Sequence, residues 1–212
     1  MWSFPFADPK WPGKVLFGGL LLLLWPLILP MMLALGYLVV LTRLHVGQVP
    51  AGVVLPAWRP WRQCLHDGAR LLVATLLYGW PVLLTFGTVL VGMLVINGPL
   101  AGSPVTGYLV SLAIAVQPLG LIWILVATLL FPLHLRQLAT AQTWRQALSP
   151  AGLLALLRAN WRALPGLWGK ELLLLLRSLT GLLIALVGFP FFLFWALLGI
   201  ARLAATMHEN LP

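Results

Sequence analysis

Hydrophobic positions in this chain come in long unbroken runs, and the charges lie almost entirely between them. Four runs stand out: residues 15–42, 71–96, 108–133 and 172–201. The second and third hold 26 residues each. As helices they would measure about 39 Å against a hydrocarbon core of about 30 Å, so both are long enough to span a bilayer. Pro81 and Pro118 are expected to kink them, which neighbouring helices can accommodate. The link between them, "NGPLAGSPVTG", carries no charge and is rich in turn-forming residues, so the pair reads as a transmembrane hairpin.

The first and fourth runs are less regular. Between Lys14 and Arg43 lie 28 uncharged residues, long for one crossing and short for two. Pro26 and Pro30 fall in the middle, where each removes a backbone donor and crowds the preceding turn. Arms of about 12 residues reach about 18 Å, past the midplane without spanning. Such a bend needs cover from other segments, because bare backbone in lipid is costly. The fourth run repeats the pattern, with Lys170 and Arg177 on one flank, Arg202 on the other and Pro190 between. The expected fold class is therefore all-α: a polytopic membrane helical bundle forming one domain over residues 1–212. It combines two clear spans with two proline-interrupted tracts broken at Pro26, Pro30 and Pro190. Four simple kinked helices are the alternative.

Charge placement orients this arrangement. Residues 43–70 carry Arg43, Arg59, Arg62 and Arg70 against Asp67, and residues 134–170 carry Arg136, Arg145, Arg158, Arg162 and Lys170 with no acid. By the positive-inside rule both segments are cytoplasmic and the uncharged turn is outside. Lys10 and Lys14 precede the first tract, which places the amino terminus in the cytoplasm if that tract turns back; the carboxyl terminus follows by the same logic. The four-crossing alternative needs Lys10 and Lys14 outside.

Composition supports the lipid-facing reading. The 212 residues are 61% hydrophobic and 8% charged, with a mean hydropathy of +1.01. A water-facing surface normally takes about a quarter of the chain as charged residues. The net charge of +9 would suggest nucleic acid on a soluble chain. Here the basic residues alternate with tryptophan beside hydrophobic runs, so anionic headgroups are the expected partner and nucleic acid is not. One cysteine, Cys64, makes neither an intrachain disulfide nor a zinc site. The first tract is also too long for a signal h-region.

"LPAWRPWRQCLHDGAR", residues 55–70, is the most distinctive polar stretch. Trp58, Arg59, Trp61 and Arg62 there suit the headgroup layer, as do Trp11 and Lys14 before the first tract. Ser149-Pro150 signals a helix start, N-cap followed by proline at the first helical position, and Pro165 is read as its end. Over 150–164, Leu153, Leu154, Leu156, Leu157, Trp161 and Leu164 form a broad apolar face opposite Arg158 and Arg162, the pattern of a helix lying on the cytoplasmic surface. Arg177 is the one charge well inside an apolar run and is expected to snorkel or pair.

Candidate chemistry is thin. The histidines (His45, His66, His134, His208) and acids (Asp8, Asp67, Glu171, Glu209) are scattered. There is no HExxH, GxSxG or phosphate-cradling loop. Neither catalytic, metal nor cofactor residues are assigned. Gly18, Gly19 and Gly188 read as close-packing positions.

Several motifs together resemble the bacterial and archaeal membrane proteins grouped as domain of unknown function 4013. They are Phe6, Asp8, Trp11 and Lys14; Gly36 and Tyr37; and Leu55, Pro56, Trp58, Trp61, Asp67 and Gly68, covering roughly residues 4–72. "ALSPAGLLALLRANW" and "GFPFF" match more loosely, and Arg59-Pro60 stands where that family often has acidic residues. The resemblance implies a multi-spanning membrane protein and no activity. The expected function is thus that of a non-catalytic accessory or scaffold subunit of the cell membrane. Its partners would be the bilayer and another membrane protein or a second copy. A transporter or channel component with discontinuous helices is the alternative.

Overall fold

The computed structural model describes residues 8–24, 26–46, 55–58, 60–98, 102–183 and 188–207, and every regular element among them is helical. In chain order these are α1 (Trp11–Leu23), α2 (Ile28–Val46), α3 (Trp61–Asn97), α4 (Pro104–Thr140), α5 (Trp144–Ala147), α6 (Pro150–Asn160), α7 (Leu164–Ser178), a 3₁₀ turn (Leu179–Leu183) and α8 (Gly188–Ala205). Four of them, α2, α3, α4 and α8, are long and apolar enough to cross a membrane. The chain divides into two compact units, Ala74–Leu130 and the remainder.

The unit Ala74–Leu130 is an antiparallel helical hairpin. The Trp123 indole N–H donates to the Tyr78 carbonyl at 2.7 Å, Gly120 lies against the Thr85 side chain, and Gly92 faces Ala113. Outward-facing Leu94, Tyr108 and Leu121 are among its most exposed side chains. An apolar surface of that extent is stable against lipid and not against water. In the connecting turn, Gly102 has φ +81°, a left-handed conformation that a side chain would disfavour. Ser103 then opens α4, its hydroxyl accepting from the Thr106 amide at 3.4 Å ahead of Pro104.

Both helices of the hairpin are longer than the apolar runs alone predict. Each has 37 residues. Nothing between Pro60 and Leu71 breaks the helix, and Cys64, Asp67, Gly68 and Leu71 keep one buried face at helical spacing. Residues 134–140 likewise continue α4, with Leu135 and Leu138 fully buried. The charges mark where the apolar run stops; they leave the helix intact.

In the other unit α2 and α8 form the centre. Of their most apolar stretches 44% is buried, against 11% for α3 and α4. They run parallel, because Tyr37 meets Phe194 and, further along both helices, the Thr42 hydroxyl reaches the Ala201 carbonyl at 3.2 Å. α1 packs on α8 through Gly18 and Gly19, which lie against the rings of Phe194 and Phe191, and α7 packs on it with Leu174 against Gly199. The close-packing role read for Gly18 and Gly19 is what these contacts show; Gly188 lies beside Gly181.

The first tract is interrupted as expected, with a correction at Pro30. The interruption lies between Leu23 and Ile28 and contains Pro26. Pro30 is instead the third residue of α2, where a missing N–H has no intrahelical partner to lose. Two hydrogen bonds fasten the described part of the bend: the Leu27 amide donates to the Leu24 carbonyl at 2.9 Å, and the Leu24 amide donates to the Leu20 carbonyl at 3.1 Å. Among the described residues its side chains are left largely uncovered. Leu24, Leu27, Ile28 and Leu29 are all exposed. Pro190 repeats the correction. It is the third residue of α8, and the interruption shown precedes it, in the 3₁₀ turn Leu179–Leu183; residues 184–187 lie outside the described residues.

The expected helix over 150–164 ends at Asn160. Its start is as read, with the Ser149 hydroxyl accepting from the Gly152 amide at 3.2 Å ahead of Pro150. Pro165, however, sits in the first turn of α7 and begins that helix. The break between them is a turn at 161–163, closed by the Ala163 amide donating to the Asn160 carbonyl at 2.9 Å. Leu153, Leu156 and Leu164 are buried, whereas Leu154 and Trp161, assigned to the same face, are exposed.

Candidate functional site

One polar cluster joins the start of α1, the middle of α2 and the segment entering α3. Asp8 precedes α1 and folds back over it, accepting from the Lys10 amide at 2.8 Å and from Lys14 Nζ at 2.6 Å. Burial by itself would raise the Asp8 carboxyl; the Lys14 hydrogen bond and charge and the Lys10 amide outweigh it and hold the group below its usual range. Lys14 also donates to the Leu55 carbonyl at 2.7 Å, so one ammonium joins α1 to the segment entering α3. From α2 the buried Tyr37 hydroxyl donates to the Pro56 carbonyl at 2.8 Å. The Tyr37 ring stacks on Trp58 with 4.0 Å between centroids, and Phe17 meets Trp58 edge-on at 4.9 Å. Trp58 is thus packed within this cluster, its indole nitrogen buried and without a partner among the described residues.

A second cluster forms where α3 crosses α2. A side chain at Gly36 would collide with the Cys64 carbonyl, and one at Gly68 with the Met32 carbonyl, so the two backbones touch at both places. Beside that contact the Arg43 guanidinium donates to Asp67 at 2.8 Å and to the Ala139 carbonyl at 3.2 Å. Arg70 approaches Asp67 at 3.9 Å and lies over the Trp144 ring. His66 lies 3.8 Å from Asp67 and edge-on to Trp144. In the same turn of α4, Arg136 donates to the Ala205 carbonyl at 3.1 Å, and the Gln137 amide donates to the Gln146 and Ser149 carbonyls, both at 2.8 Å. The basic ends of α2, α3, α4 and α8 are therefore tied together by charged and amide side chains.

The remaining interface residues lie outside both clusters. Trp61 and Arg62 are exposed at the start of α3, with the guanidinium 5.3 Å from the ring centroid. Trp161 and Arg162 make the same pair at 5.6 Å in the turn after α6, and Arg158 is exposed one turn earlier. Trp11 is half-buried beside a groove, and Arg59 lies outside the described residues. Pro26 is exposed and Pro30 and Pro190 are half-buried.

Two features escaped the sequence reading. One is the groove beside Trp11, about 680 Å³ in volume, bounded by the first turns of α1 and α8 and by Arg177 and Thr180 at the end of α7. The other is Glu171 on α7, whose carboxyl is fully buried with neither oxygen paired among the described residues. Burial alone pushes it up to about 8. The signal for Glu171 was present: it stands between "LWGK" and "LLLLL" with no base at helical spacing on its apolar face.

These contacts join segments rather than surround a reacting atom. Asp67 and Asp8 are each held by a cation, and among the described residues no three histidine, cysteine or acidic side chains converge to hold a metal. Residues 19–169 match a family model described as a protein of unknown function, DUF4013. That match includes Gly36, Tyr37, the 55–68 motif and α6, and begins downstream of Asp8, Trp11 and Lys14. No curated protein and no solved structure matches the chain.

Proposed function

The chain belongs to the DUF4013 family, and from that premise we propose that it is a non-catalytic accessory or scaffold subunit acting through lipid and protein contacts. The observation carrying this reading is where the polar chemistry goes. Asp8, Lys14, Arg43, Asp67, Arg70 and Gln137 are used to fasten helix ends to one another, and the surface left over is apolar helix face with exposed Trp–Arg pairs. Such pairs suit the headgroup layer, and an extended apolar face suits lipid or another membrane helix.

In this reading only the α3–α4 hairpin crosses the bilayer, and both broken tracts return to the cytoplasmic side. Two contacts support that. The parallel course of α2 and α8 puts Arg43 and Arg202 at matching ends. The basic start of α3 lies across the middle of α2, so a cytoplasmic level for Arg62 and Arg70 brings Gly36 toward the same level. α1, with 13 residues, is about 20 Å long and too short to cross.

The test is reconstitution of the purified chain alone into liposomes. No saturable solute movement is expected. Saturable flux would overturn the scaffold reading in favour of a transporter.

A further inference from the structure

The geometry points to the groove beside Trp11 as a binding site for one anionic phospholipid, its phosphate on Arg177 and an acyl chain along the aromatic wall. The wall comes from both broken tracts: Trp11, Val15 and Leu16 of α1, and Phe191, Phe192 and Trp195 of α8. At about 680 Å³ the space falls within the range that holds a small apolar ligand, enough for one acyl chain beside the headgroup with the rest of the lipid in the bilayer. Around it Leu16, Phe17 and Leu20 are exposed, so the groove opens onto a surface that itself calls for lipid.

The occupant's charge follows from the rim. Among the described residues Arg177 is the one charged residue lining the groove, and it stands exposed in the last turn of α7. Its guanidinium presents five donors in one plane, and that plane matches a phosphate bidentately. The Thr180 hydroxyl donates its proton to the Arg177 backbone carbonyl at 2.7 Å, so Arg177 brings the charge to the rim and Thr180 does not. Lys10, next to Trp11, is exposed and basic, and among the described residues no carboxylate lines the space. A zwitterionic headgroup would bring a second cation toward this basic rim; an anionic one would not. Held so, the lipid would bridge α1, α7 and α8 and would explain why a charge interrupts the fourth apolar run.

This site rests on the membrane-embedded reading above and is independent of whether the chain moves solutes, so the flux assay and the following one fail separately. The full-length protein is equilibrated with vesicles of equal parts phosphatidylcholine and phosphatidylglycerol, extracted in mild detergent, washed, and its retained lipid quantified per chain. Phosphatidylglycerol should be retained in about one copy per chain, as one groove admits one headgroup, and phosphatidylcholine should wash out. Arg177→Gln should lower retention roughly tenfold, and Arg177→Lys less, since it keeps the charge and loses the fork. Leu16→Trp, which fills the groove with Arg177 intact, should lower it too and serves if Arg177→Gln does not fold. Excess inorganic phosphate should not displace the lipid. Equal retention of both lipids, unchanged retention in Arg177→Gln and Leu16→Trp, displacement by phosphate, or closure of the groove by a second copy cross-linked through Leu16→Cys would each overturn the proposal.

Discussion

Glycine 36 and glycine 68 show how much one missing methyl group can decide. Each allows a carbonyl of the facing helix to occupy the place of a β-carbon, so α2 and α3 touch through their backbones. Without a hydrophobic drive between helices in lipid, such close approach supplies much of the attraction. Gly36→Ala should therefore force the helices apart, costing about 1–3 kcal/mol as overpacking generally does. Thermal unfolding in detergent would show a clear loss. Gly79→Ala, where an added β-carbon meets nothing within 4 Å, should leave the midpoint unchanged or slightly raised. Equal midpoints for the two variants would count against the contact. The motif positions Gly36, Tyr37, Pro56, Trp58, Asp67 and Gly68 could be picked out from sequence as a set. Their purpose could not, because Tyr37 and Pro56 are separated by a stretch whose course only three dimensions reveal.

At the scale of elements, α7 illustrates a cost built into helix packing. It buries Leu174 against Gly199 of α8, and Glu171, one turn earlier on the same face, is buried with it. The folded carboxyl sits at about 8 against an ordinary 4.5, so the native state binds the proton more tightly than the unfolded chain. Stability should then fall as pH rises from about 4.5 to about 8 and level off beyond, since the proton must be given up from a buried site. Glu171→Gln should remove that slope and be the more stable form at alkaline pH, which melting curves across this range would detect; parallel slopes in both proteins would contradict it. Element existence was otherwise largely legible. The two long apolar runs became α3 and α4, and the interruption at Pro26 is where the proline placed it. The misread prolines share a cause. Proline is excluded from helix interiors and welcome in first turns, so Pro30, Pro165 and Pro190 mark starts as readily as stops. Only the hydrogen-bond ladder around each one tells which. Trp161 was misplaced for the same reason, because the periodicity used to assign its face was carried past the end of α6.

For the whole molecule the open quantity is sidedness. Cytoplasmic ends for both broken tracts predict that single cysteines at Ser3 and beside Pro212, in a Cys64→Ala background, react with an impermeant thiol reagent only after the membrane is breached. A cysteine at Ser103 should react in intact cells. Labelling at Ser3 and Ser103 from the same side would replace this arrangement with four crossings. The groove was invisible to sequence reasoning at this scale, since it depends on α1, α7 and α8 meeting across more than 150 positions of chain.

The turn joining α3 to α4 has one further consequence. From Asn97 to Gly107 it holds no ionisable side chain. A hairpin with such a tip can be threaded through the hydrocarbon in one movement, with no ion to strip of water on the way, whereas a single arginine there would impose a barrier of several kcal/mol. Insertion of this protein would then be a matter of folding two helices in from the side where they were made.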